Sequence, residues 1–441
     1  MKKIIIGIVI LIVIAGVGVP FVSGLVMEKT VKQSFSNLNT IYSDSGTDVS
    51  IEIIKYDRNF ASTDIEWKMK LGALSAIYGI EEIIFIDRAT HGYTGFVSKT
   101  SLEKNKWFTD FVTNQLNGKN PVAITTEYSF SGQITSTIGM DAFSLSVEDE
   151  VVEIKEGKAL FICDKDMEKF SSEVSWAGVS VSENLQIDGI SITSDVRKIS
   201  SYLWDGTLSF AVDKGKLEEG LQPFELVNFK IDYSLDVDEE EKKLSIVTVL
   251  STAHLQAGPE QIDNAFIRVG VVNIDIPGFE EFMKLYAEMR HSYLKNIAAA
   301  GDDPEKLEKI FGKEEVARNR SLIMTACEKF LKKGLEFQIS DMYAKFPTGE
   351  VKGDAVLSLN EDMTFAQLIR IIQEPYMVLE VLSLQSNFSL PAELVGGNPM
   401  LLFPMSPEMP TGLFVKNGEI FTHKMETHAG KLYLNDWKVR L

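Results

Sequence analysis

Thiols are scarce in these 441 residues: Cys163 and Cys327 are the whole complement, too few for a thiol redox motif or a cysteine-built zinc cluster. Cys163 ends a strand pattern and Cys327 lies in a helical one, so each reads as a small buried apolar residue; a bridge between them is the one disulfide available. Positive charge is short as well. Lys and Arg number 44 against 63 Asp and Glu, a net charge of -19 that repels phosphate backbones and sets nucleic acid aside as a partner. Also missing are a phosphate-cradling glycine loop, a dinucleotide fingerprint, a nucleophile elbow, zinc-ligand spacings and kinase signatures, which weakens any enzyme reading. No segment repeats at a fixed period, so solenoids and propellers are not supported. With 45% hydrophobic and 24% charged residues, the chain is neither disordered nor a polytopic membrane protein.

What is present begins with an uncharged run, Ile4 to Val26, after Lys2 and Lys3. At about 1.5 Å per residue it reaches roughly 34 Å, enough for a hydrocarbon core of about 30 Å. The run predicts an N-terminal transmembrane helix retained as a signal anchor. The rival is a signal peptide cut near Val22-Ser23-Gly24, but the run is longer than the usual apolar core of such a peptide. Glu28 partly offsets Lys29 and Lys32, so the positive-inside bias keeps the N-terminus in the cytoplasm and exports the rest.

The exported body alternates. Val31 to Tyr42 predicts a short amphipathic helix leaving the membrane, and strands follow. In Thr63 to Leu71, Ile65, Trp67, Met69 and Leu71 share one face and Asp64, Glu66, Lys68 and Lys70 the other, a sheet with one dry and one wet side. Further strands are predicted at intervals to Ile276, among them Thr135 to Val147. The clearest hairpin runs from Phe224 to Ala257 around an acidic tip, Asp236 to Lys243, that lacks the spaced ligands of a calcium loop. Pro277-Gly278 stops the meander. Phe279, Phe282, Met283, Tyr286 and Met289 then recur at helical steps, Asp303-Pro304 starts a helix, and Glu315 to Lys332 makes another, together a cover for one sheet face. Strands return from Leu335, with a short helix at Thr364 to Gln373 and a closing hairpin from Glu419 to Val439. Between Ala392 and Phe414, methionines and prolines mix in an apolar, irregular segment that reads as packing, a groove lip or a partner surface.

Five histidines were weighed as chemistry. His423 and His428 lie five apart in a strand pattern, which puts them on opposite faces and both at the surface. His91-Gly92, after Asp87-Arg88, reads first as a structural turn, because no nucleophile or metal partner is identifiable beside it. No catalytic, cofactor-binding or metal-ligating residue is assigned, and no cofactor is expected.

Tyr56-Asp57-Arg58-Asn59-Phe60-Ala61-Ser62, then Asp87 with His91-Gly92, the strand Val269-Gly270-Val271-Val272-Asn273-Ile274, and the closing Asn417-Gly418-Glu419-Ile420 resemble, in that order, the YdgA-like family of bacterial envelope proteins. The likeness covers essentially the whole chain. The family tends to carry a glycine and one more residue between the arginine and the phenylalanine, and a proline where this chain has Tyr93. The resemblance implies a single-pass protein of the bacterial inner membrane with its body in the periplasm, and it brings no activity or site residues.

The expected fold is mainly β with appended helices (α+β), a long curved antiparallel sheet behind the membrane helix. Its parts are an anchor over 1–27, a meander over 28–276, a helical insert over 277–334 and a C-terminal return over 335–441. The leading functional reading is a tethered periplasmic protein that presents an apolar groove to lipid or another envelope component. A noncatalytic interaction scaffold using β-augmentation is the alternative, and an uncharacterised hydrolase stands third.

Overall fold

The computed structural model describes residues 24–147, 150–182, 184–218, 223–300, 312–367, 370, 378–395, 412–428 and 430–439. Among the described residues 57% lie in strands, which makes the fold mainly β, and the strand pairs are antiparallel. The membrane helix expected over residues 4–26 falls almost wholly outside the described residues. Among those described, no helix is long and apolar enough to cross a membrane. The Asp303-Pro304 helix start and most of the irregular 392–414 segment also lie outside them.

The chain divides into two units. Unit 1 takes Met1–Val179, Ile192–Leu203 and Tyr286–Ala317. Its strands are β1 (Ser50–Arg58), β2 (Ser62–Lys70), β3 (Glu82–His91), β4 (Gly95–Ser101), β5 (Val122–Ser129), β6 (Gln133–Met140), β7 (Phe143–Val147), β8 (Glu150–Ile154), β9 (Gly157–Asp164) and β10 (Lys169–Val181). They pair in the order β1, β2, β3, β4, β5, β6, β9, β10, and β7 pairs with β8 as a hairpin. The single strand expected over Thr135 to Val147 is broken after Met140, where the backbone N–H of Asp141 bonds the Pro121 carbonyl and turns the chain away.

Helix α1, residues 24–44, lies on this sheet and is longer than the 31–42 stretch the periodicity predicts. Gly24, Met27, Val31 and Ser34 are buried at three- and four-residue steps, which is the spacing of one helix face. Met27 and Val31 pack with Ile65, Ala89 and Phe96, and the ring of Phe35 meets Trp67 at 5.1 Å. Complete burial of two such side chains stabilises the docking by about 1.5–3 kcal/mol each. A second helix, α2 (Lys106–Gln115), buries Phe108 and Val112.

Unit 2 takes Ser180–Ser191, Trp204–Leu285 and Arg318–Leu441. Between β10 and the next strand of this unit runs β11 (Leu185–Lys198), and then come β12 (Trp204–Leu217), β13 (Phe224–Asp238), β14 (Lys243–Ala257), β15 (Glu260–Asp275), β16 (Glu336–Phe346), β17 (Gly349–Leu359), β18 (Leu382–Pro391), β19 (Val415–Asn417), β20 (Ile420–His428), β21 (Lys431–Leu434) and β22 (Trp437–Lys438). From β12 to β18 each strand pairs with the next, and β20 follows β18. The hairpin read from Phe224 to Ala257 is present in that register, Phe224 opposite Ala257 and Asp238 opposite Lys243.

Helices α3 (Ile276–Ala300) and α4 (Lys313–Cys327) separate β15 from β16. At their unit 2 ends Phe282 meets Phe330 edge to face at 5.5 Å, and a Cβ on Gly278 would stand 2.4 Å from the Lys329 carbonyl oxygen. Only glycine permits that approach. Nearby, Leu244, Ile274, Leu335 and Leu359 are buried and form the core at one end of the sheet.

Candidate functional site

Two places in the molecule concentrate unusual side chains, one in each unit. The first lies under α1. Because strands alternate their side chains, register places residues of seven strands in cross-sheet rows on the face that α1 covers. One row runs His91, Phe96, Tyr128, Ile134, Cys163; the next runs Thr63, Ala89, Ser98, Thr126, Ser136; a third runs Tyr56, Ile65, Asp87, Thr100. The sequence motif residues Tyr56, Asp87 and His91 therefore share one face. That assembly was not readable from the chain.

Several of the polar members pair with one another. His91 Nε2 lies 2.7 Å from Thr63 Oγ1, with Thr63 wholly buried and His91 at 6% exposure. Trp67 Nε1 donates to Asp87 Oδ2 at 2.8 Å and Thr100 donates to Oδ1. Burial pushes the Asp87 carboxyl above the ordinary carboxylate range, partly opposed by the Thr100 and Trp67 hydrogen bonds. Burial likewise raises the Tyr56 phenol to about 12 and the Cys163 thiol to about 11. That thiol is a packed apolar group, as its strand position predicts.

An imidazole against a hydroxyl invites comparison with a nucleophile and its base, and the geometry does not carry it. His91 Nδ1 has no hydrogen-bond partner among the described residues, so no third group orients the ring, and Asp87 is engaged by Trp67 and Thr100 instead. The hydroxyl is sealed from solvent. The cluster instead fixes α1 at Gly24: a Cβ there would stand 2.5 Å from His91 Cε1 and 3.2 Å from Arg58 Cδ, so the helix meets the imidazole with no side chain between them.

The other histidines build no site either, and His291 is exposed on α3. His423, expected at the surface, is buried: Ser386 Oγ lies 2.8 Å from Nε2 and the Leu413 carbonyl 2.9 Å from Nδ1, so both ring nitrogens are satisfied inside the protein. His428, on the opposite face of β20, is exposed as expected. His254 Nδ1 stands 2.7 Å from its cross-strand partner Asp263, whose carboxyl is held below its usual range by that hydrogen bond. Among the described residues no three His, Cys, Asp or Glu side chains gather as metal ligands.

The second place is a face of the unit 2 sheet. Register aligns Ile246 with Val271 and Phe337, then Leu357 and Leu384, while Thr248 lines up with Val269, Ile339 and Ala355. The first row crosses five strands and is wholly apolar; the second, over four, bears one hydroxyl, that of Thr248, before it reaches Ser386 on β18, whose hydroxyl is taken up by His423. They border an open, mainly apolar groove of about 440 Å³, and Phe337 is 41% exposed. The helices expected to cover a sheet face do not bury this one, whose residues remain partly exposed. A polar groove of about 640 Å³ lies nearby, where Asn387 Nδ2 donates to Asp354 Oδ2 at 3.1 Å and Lys352 and Lys424 stand at its rim.

The motif Val269 to Ile274 acquires a physical role beside these rows. Asn273 takes a left-handed backbone, φ 62°, and its amide donates to the Gly334 carbonyl at 3.0 Å. The resulting bulge gives β15 one more residue than β14 between two paired positions, which keeps both Val271 and Ile274 on the apolar face.

Compared with known families, residues 1–398 match the one described as "Bacterial protein of unknown function (DUF945)", and the chain belongs to it. Neither the curated proteins nor the solved structures contain a match to this chain.

Proposed function

We propose, starting from membership of a family to which no activity is assigned, that this chain is a membrane-tethered envelope protein of the YdgA-like kind. Unit 2 holds a lipid acyl chain along its apolar sheet face. The observation that carries the reading is the pair of apolar rows from Ile246 to Leu384 and from Thr248 to Ala355. An open apolar face of this extent is costly in water, and contiguous patches of that kind mark surfaces that meet an apolar partner. A polar substrate would call for convergent charged or hydrogen-bonding groups, and these rows offer one hydroxyl. The uncharged run Ile4 to Val26 supports the tether and sets the protein beside a lipid source.

Full-length protein in vesicles that contain a phospholipid with a photoreactive acyl chain tests this directly. Irradiation should label peptides of β14 to β17, and Val269→Glu combined with Ile339→Glu should abolish that labelling. Labelling confined to the N-terminal run, with none on those strands, rules the reading out. Strand addition by a partner is less well served at β1, where Asn39 already occupies the backbone of Ile51.

A further inference from the structure

We infer that unit 1 carries a membrane-interface rim, built from three hairpin tips and Gly24 to Val26 of α1, which seats this unit against the lipid headgroups. The inference rests on the tether proposed above. Strand direction brings the tips to one end of the sheet: β1 ends and β2 begins there, as do β3 and β4, and β5 and β6. Register confirms the alignment, with Ser62 opposite Thr90, His91 opposite Phe96, and Gly95 opposite Ser129. The tips also touch, since the backbone N–H of His91 bonds the Ala61 carbonyl at 2.9 Å and that of Phe130 bonds the Thr94 carbonyl at 3.0 Å.

Each tip presents a large aromatic to solvent. Phe60 is 51% exposed, Tyr93 64% and Phe130 43%. A tight turn has no structural use for such a side chain, and polar or small residues ordinarily fill it. Gly24 of helix α1 lies at the same end, against His91 and Arg58, and beside it Leu25 and Val26 are 45% and 41% exposed. These two residues end the uncharged run of the sequence. The aromatic tips thus surround the place where the apolar segment enters unit 1. Tyr93, an apolar ring with a polar hydroxyl, suits the membrane–water boundary, Phe60 and Phe130 add purely apolar surface beside it, and a helix leaving a bilayer brings that boundary to this rim.

Ion pairs engage most of the charge around the rim: Glu28 pairs with Lys32 at 2.8 Å and Arg58 at 3.6 Å, Asp57 with Lys55, and Lys165 with Asp166 at 4.0 Å. Seating therefore rests on the apolar side chains.

The test adds one tryptophan at a time to the full-length protein, Phe60→Trp, Tyr93→Trp or Phe130→Trp, with Tyr78→Trp as the control, and reads each as the difference in emission from the parent, whose five native tryptophans set the baseline. Tyr78 is 64% exposed and precedes β3, at the opposite end of the strands. The proteins are reconstituted in phosphatidylcholine vesicles, with and without bromine on the upper acyl carbons. Rim tryptophans should be blue-shifted and lose emission in brominated vesicles, whereas the added tryptophan at 78 should be unaffected. If the protein floats with the vesicles but the rim behaves like position 78, the rim is refuted and the tether stands. A protein that fails to float with them overturns both.

Discussion

Asp87, a part-buried carboxyl on the sheet face that α1 covers, adds a pH-dependent contribution to the stability of unit 1. Asp87 keeps its proton more readily in the folded chain than in the unfolded one because burial disfavours its charge. Its contribution to stability is therefore most favourable below the ordinary carboxylate range and is lost as pH rises from there through its raised folded value. Replacement by Asn removes this titration while keeping the shape. We expect the stability difference, native minus Asp87→Asn, to fall as denaturation is repeated at increasing pH across that window. A difference that stays flat would mean that Asp87 is not perturbed in solution. Residue-scale chemistry was only partly legible in the sequence. The odd spacing of His423 and His428 correctly separates their faces, but the burial of His423 depends on a Ser386 hydroxyl 37 residues away, and no local pattern announces that partner. Asp87 and His91 could be singled out by type and by their glycine turn, whereas their common face with Tyr56 exists only once three strands are in register.

At the scale of the element, the edge of β1 shows how α1 does two jobs. Asn39 places both ends of its side-chain amide on one residue of that strand: its Oδ1 accepts from the Ile51 N–H at 2.7 Å and its Nδ2 donates to the Ile51 carbonyl at 2.9 Å. A strand neighbour would make the same pair of bonds. The amide therefore docks the helix and blocks an edge that would otherwise template association. Asn39→Ala leaves two half-buried backbone groups without protein partners, and we expect a loss of about 1–2 kcal/mol in urea denaturation, with more aggregation on refolding. Asn39→Asp, which retains only the acceptor, should fall between the two; an alanine variant as stable as the parent would remove the capping role. Periodicity read the elements well where the local signal was strong, as in β2 and the β13–β14 hairpin. It missed α2, because the residue before that helix spends its side chain elsewhere: Asn105 bonds the backbone of Ile84 on β3 and makes no side-chain cap. The bulge at Asn273 was equally invisible, since a left-handed asparagine inside a strand pattern looks like any polar position.

On the scale of the whole molecule, sequence showed that strands had a dry side but could not show which dry side stays open. Ile246, Val271, Phe337, Leu357 and Leu384 come from five strands and meet only through register. Their apolar character and the net charge of -19 act over different distances, and that difference makes the proposed function testable. Apolar contact begins when surfaces touch, whereas like-charge repulsion between an acidic protein and an anionic membrane acts before contact and is screened over about 8 Å at physiological ionic strength. An anionic phospholipid should thus approach slowly at low salt and faster as salt is added, while a neutral lipid with the same acyl chains meets no such barrier. We expect the uptake rate of a fluorescent phosphatidylglycerol to climb as ionic strength is raised from about 0.01 to 0.15 M, where the screening length shrinks from about 30 to 8 Å. The matching phosphatidylcholine should show little change, because its capture depends on the apolar rows and not on headgroup charge. A phosphatidylglycerol rate that falls with added salt would instead reveal an attractive basic site for the headgroup, and the apolar sheet face would no longer account for recognition.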